Sequence, residues 1–107
     1  MKDTAKLLQD MVQAIASIES YAVPTYDAFL SDEKTHDAIM FNLIIMGEAA
    51  NGISREFQEE HSEIPWSSII GTRNVIVHGY DQVKLQIVWD IVDKDLSTLK
   101  RSLLGLV

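Results

Sequence analysis

The chain of 107 residues contains no cysteine. That excludes a disulfide framework and any thiolate metal or redox centre. Only two prolines and five glycines interrupt it, too few for a sequence built from turns and short strands. Long apolar runs are missing as well. The longest candidate, Ala38 to Ala50, is broken by Asn42 and Glu48, well short of the roughly 18 apolar residues that cross a bilayer. Met1-Lys2-Asp3 leads directly into an amphipathic pattern with no signal-like apolar block, so the expectation is a cytoplasmic protein without a membrane partner. Positive charge is scarce too. Nine Lys and Arg face sixteen Asp and Glu, a net charge of -7. A protein that grips nucleic acid through its phosphates usually carries a basic surface. Any nucleic-acid chemistry must therefore reside in a local site or borrow charge from a partner.

What remains is helical periodicity, with 47% apolar residues, and a length that fits one domain over 1–107. A domain of this size buries only about two-thirds of the surface its unfolded chain exposes, so a partner often completes its core. Leu8, Met11, Val12, Ile15 and Ile18 form one stripe on a helix from about Asp3 to Tyr21. Pro24 stops it, a short helical piece covers Thr25 to Leu30, and Ser31-Asp32 has the form of a cap. A long helix is expected over Asp32 to Glu60. Ile39, Leu43, Met46, Ala50, Ile53 and Phe57 make its seam, and Met40, Phe41, Ile44 and Ile45 make a second apolar face. A helix apolar on two sides must be covered twice, once by its own bundle and once by a second copy. Pro65 opens the next helix, which holds Ile69, Ile70, Val75, Ile76 and Val77. These β-branched residues are weak helix formers that need packing. His78-Gly79 reads as its end, with the glycine in the left-handed conformation. A last helix over Leu85 to Leu104 carries Val88, Val92, Leu96, Leu99 and Leu103 on one stripe. The fold class is all-α, an antiparallel bundle of four to five helices.

Three polar groups sit where a plain bundle would not choose them. Glu48 falls among Phe41, Ile44 and Ile45, where it either reaches water or meets an arginine. Arg73 and Asn74 are embedded in apolar sequence. His78 lies one turn beyond Asn74 on the same helix face, and Tyr80 follows at two residues. Arginine offers a permanent charge and a planar fork matched to phosphate oxygens; histidine exchanges a proton near neutral pH. Together they hold what RNA cleavage by its own 2′-hydroxyl requires, with no cofactor and no metal. The plainer alternative is a helix-end histidine and an arginine paired to Glu48 for stability alone. His36, His61 and His78 have no metal-ligand spacing, and Gly47 and Gly52 match no phosphate loop.

The run Arg73-Asn74-Val75-Ile76-Val77-His78-Gly79-Tyr80 resembles the Arg-x4-His-x-Tyr signature of HepT-like proteins in the HEPN superfamily. Upstream, Ile45-Met46-Gly47-Glu48-Ala49-Ala50 and Ile64-Pro65-Trp66-Ser67-Ser68-Ile69-Ile70-Gly71 resemble further stretches of that family. Downstream, Leu85-Gln86-Ile87-Val88-Trp89 does the same. The resemblance implies a homodimer with two motifs across a shared cleft and a metal-independent endoribonuclease. It implies the toxin of a type VII-like toxin–antitoxin pair. Arg73 and His78 would be catalytic, Asn74 and Glu48 supporting. The antitoxin partner would be a minimal nucleotidyltransferase that silences the toxin by transferring AMP to Tyr80. The competing reading is a non-catalytic helical module that binds a nucleotide or the transferase.

Overall fold

Aspartate, threonine and serine side chains begin four of the helices. In the computed structural model, which describes residues 3–21 and 24–107, Asp3 accepts from the Ala5 amide and starts α1 (Thr4–Ser20). Thr25 caps α2 (Tyr26–Leu30) through the Ala28 amide. Asp32 caps α3 (Glu33–Asn51) through the Thr35 amide. Ser54 caps α4 (Arg55–Glu60) through the Phe57 amide. Each cap satisfies an amide that the first turn leaves without a helical partner. Pro65 stands immediately before α5 (Trp66–Gly79) and accepts at its carbonyl from Ile69. A 3₁₀ turn (Tyr80–Gln82) follows, then α6 (Leu85–Asp90), a π-helical turn (Ile91–Asp95) and α7 (Leu96–Leu104). The expected all-α class is found, and the described residues contain no strand. The leading Met1-Lys2 lies outside the described residues.

Helix α3 is the centre of the bundle, packed against α1 on one side and α5 on the other, while α7 closes onto α1. The expected seam is buried at Ile39, Leu43, Met46 and Ala50 and, just past the end of α3, at Ile53, each less than 5% exposed, whereas Phe57 is only partly buried. Leu8, Met11, Ile15 and Ile18 meet them from α1, and Leu96, Leu99 and Leu103 from α7. No helix among the described residues is long and apolar enough to cross a membrane.

Four expectations are corrected. The helix expected over Asp32 to Glu60 breaks after Asn51. Gln58 reaches back with its side-chain amide to the carbonyls of Ala50 and Ile53, supplying partners that a continuing helix would have provided. Gly79 is not left-handed, with φ at -150°, because the chain tightens into the 3₁₀ turn and does not reverse. The last helix is interrupted by the π turn. Finally, α5 is not held by all its β-branched residues. Ile69 and Ile76 are buried, whereas Val75 and Val77 are 62% and 45% exposed.

Candidate functional site

The α3–α5 contact is close because Gly47 has no side chain. A Cβ built there would lie 2.2 Å from Arg73 Cβ, 2.8 Å from Arg73 Cγ and 3.2 Å from the Ile69 carbonyl. The stem of Arg73 therefore lies directly across the backbone of α3. Glu48, the next residue, is thereby brought beside the guanidinium. Arg73 Nε donates to Glu48 Oε1 at 3.0 Å, and Nη2 donates to the same oxygen at 2.5 Å. Nη1 donates to Asn74 Oδ1 at 2.8 Å. Three of the five N–H groups of the guanidinium are thus engaged, which leaves two to meet an incoming oxyanion. The Arg73 side chain is 26% exposed and Glu48 55%. Glu48 both reaches water and accepts two hydrogen bonds from the arginine.

Ile76 pins the middle of the motif into the core at 1% exposure, and Asn74, Val75, Val77 and His78 stand at the open surface around it. His78 occupies the last turn of α5, exposed, and its ring makes no hydrogen bond among the described residues. Tyr80 begins the 3₁₀ turn, and its hydroxyl donates to Asp37 Oδ1 on α3. That bond pushes the phenol up to about 12, with burial and the charges of Asp37 and Glu33 adding in the same direction. Arg73, Asn74 and Glu48 therefore form one connected cluster. Tyr80 belongs to a second pair with Asp37, and His78 lies on the helix between them.

Asp37 and Gly47 were not singled out from the sequence. Asp37 lies 43 residues from Tyr80, so no local spacing could reveal it. Gly47 carried a faint signal, since a glycine inside a helix costs about 1 kcal/mol unless something requires it. His36 is buried, its ring nitrogen against the Phe29 carbonyl and its ring 4.6 Å from the Phe29 ring. Among the described residues no group of three His, Asp or Glu side chains is arranged to hold a metal ion. Two concavities, of about 460 and 560 Å³, are mostly apolar. One lies beside Leu43, Ile69 and Leu99, the other beside Val75, Ile76 and Ile87, and neither is lined by Arg73 or His78.

Residues 11–104 match the family described as Ribonuclease HepT-like. A protein of Thermococcus cleftensis, named as a probable ribonuclease HepT, is 35% identical over 94 residues, covering 87% of this chain and 86% of its own. A Methanocaldococcus jannaschii protein whose name joins a gamma-glutamylcyclotransferase to a candidate RNase is 31% identical over 107 residues. Those residues are 99% of this chain and 48% of that protein. A second candidate RNase of the same organism is 30% identical over 92 residues, 85% of this chain and 76% of its own. No solved structure matches the chain at a significant level.

Proposed function

Because this chain belongs to the HepT-like ribonuclease family, we propose that it is an endoribonuclease toxin whose cleavage chemistry is carried by Arg73 and His78. The observation that carries the reading is the Arg73 cluster. Glu48 and Asn74 hold the guanidinium from two directions and leave two N–H groups free. A surface arginine needed only for solubility has no use for such fixing, whereas a phosphate-binding one does, because orientation set in advance is not lost again at the moment of reaction.

In the proposed reaction the ribose 2′-hydroxyl attacks the adjacent phosphorus. A bond forms from O2′ to phosphorus, the bond to O5′ breaks, and the products are a 2′,3′-cyclic phosphate and a free 5′-hydroxyl. Arg73 stabilises the additional negative charge on the non-bridging oxygens. His78 either takes the proton from O2′ or supplies one to O5′, and solvent water carries the other transfer. The residues do not call on a metal ion for any of these steps.

The site is completed by a second copy of the chain. Val75 and Val77 face outward from the motif itself, and Phe41 on α3 is 61% exposed. Burying these residues in a homodimer would set two motifs side by side and enclose RNA between them. A minimal nucleotidyltransferase is the proposed antitoxin, acting in the cytoplasm by placing AMP on Tyr80. Tyr80 stands at the end of the motif helix, 45% exposed. The added phosphodiester would bring bulk and negative charge where an RNA phosphate must approach.

Expression in a bacterial host tests the assignment. Wild-type chain is expected to arrest growth, and Arg73→Ala and His78→Ala are each expected to relieve the arrest while retaining full helicity. Arrest persisting in both variants would end the catalytic assignment.

A further inference from the structure

The second polar pair of the site has a chemistry of its own. Asp37 stands one turn after Glu33 on α3, exposed, and takes the hydrogen bond from the Tyr80 hydroxyl. The phenol is therefore held neutral, with its proton already directed at a carboxylate. Its displaced ionisation, up to about 12, reflects the same contact. The neighbouring His36 is turned into the core, its ring nitrogen occupied by the Phe29 carbonyl, and is not placed to serve as a base for Tyr80.

We propose that Asp37 is the group that receives the phenolic proton when Tyr80 is nucleotidylated. This rests on the reading of Tyr80 as the modified residue. The phenolic oxygen attacks the α-phosphorus of a nucleoside triphosphate supplied through the transferase. The Tyr80 oxygen–phosphorus bond forms, the bond to the pyrophosphate leaving group breaks, pyrophosphate departs with that electron pair, and the proton passes to Asp37 Oδ1. A carboxylate is a much weaker base than a phenolate, yet it suffices here. Protein kinases use the same arrangement, an aspartate accepting the proton of a substrate hydroxyl as it attacks phosphorus. The product cannot keep the original contact. Tyr80 no longer has a proton to donate, and its new phosphodiester faces the charges of Asp37 and Glu33. The 3₁₀ turn Tyr80–Gln82 is thereby released from α3.

The test combines purified chain, a minimal nucleotidyltransferase of the kind proposed as its antitoxin, ATP and magnesium, and follows the mass of the intact chain with time. Asp37→Asn keeps an oxygen that can accept from the phenol but cannot take its proton. It is expected to slow adduct formation roughly 10²- to 10⁴-fold through turnover, with the KM for the chain little changed. Glu33→Gln removes the same charge from the same end of α3 without touching the hydrogen bond, and is expected to stay close to the wild-type rate. A wild-type rate for Asp37→Asn, or equal slowing in Glu33→Gln, overturns the role of Asp37. No adduct on the wild type, or an adduct persisting on Tyr80→Phe, overturns the reading of Tyr80 on which it stands.

Discussion

Replacing Gly47 with alanine sets two effects of opposite sign against each other. Alanine is the better helix former by about 1 kcal/mol, so propensity alone would make the variant more stable. The new methyl, however, would stand 2.2 Å from Arg73 Cβ and 2.8 Å from Arg73 Cγ. Carbon atoms in contact prefer about 3.5–4.0 Å, and α3 and α5 would have to part by more than about 1 Å. The obstructing Cβ is rooted on the α5 backbone and cannot swing aside. Overpacking of this kind costs about 1–3 kcal/mol, and a rigid neighbour places the cost toward the upper end. The net expectation is a loss of about 1–2 kcal/mol, a fall in Tm of about 5–15 °C for a domain near this size. Thermal unfolding followed by circular dichroism reads it directly. Because the nearer atom is Cβ, Arg73→Ala should not restore stability to Gly47→Ala. A variant as stable as wild type, or more so, would refute the argument that Gly47 is there to let Arg73 cross α3.

Further perturbations separate the remaining parts of the account. Glu48→Ala removes the acceptor of two Arg73 hydrogen bonds; RNA cleavage should fall about 10- to 100-fold through loss of orientation. Denaturant unfolding of the same variant should move by less than about 1 kcal/mol, since the pair is partly exposed. Tyr80 should titrate near 12 in the wild type and move back toward 10 in Asp37→Asn, read as the difference in tyrosinate absorbance against Tyr80→Phe. The sign follows from the raised value: the stability that this contact contributes is complete below pH 10 and is lost as the pH climbs through about 12. Val75→Asp lies on an exposed position and should leave folding within about 0.5 kcal/mol. Sedimentation should show that variant as a monomer and the wild type, if the proposed homodimer forms, as a dimer; a dimeric variant would remove Val75 from the interface.

Much of this architecture is legible because helical spacing and burial answer to the same geometry. The stripe Leu8, Met11, Ile15 and Ile18 is buried as its period demands. The break between α3 and α4 is hidden for the same reason: Ile53 stays in register with the seam across it, so periodicity alone sees one helix. The segment Asp32–Glu60 begins and ends where its spacing places it, and the break in its middle depends on a side chain, Gln58, folding back over the chain. The π turn at Ile91–Asp95 is hidden because its neighbours Val88 and Leu96 still reach the core. In the site, Arg73, Asn74, His78 and Tyr80 announce themselves as a local motif, and Glu48 as a carboxylate on an apolar face. Asp37 and the role of Gly47 depend on contacts between α3 and elements 26 to 43 residues further along. They exist only once the two helices meet.

The most direct test of the central claim is cleavage of RNA by purified chain in EDTA, wild type against His78→Ala, with the intact mass of the wild-type sample recorded alongside. The account expects wild-type protein of unmodified mass to cut RNA without metal and the His78→Ala variant to lose that activity. Absence of cleavage by the unmodified wild type, or cleavage undiminished in His78→Ala, would contradict it.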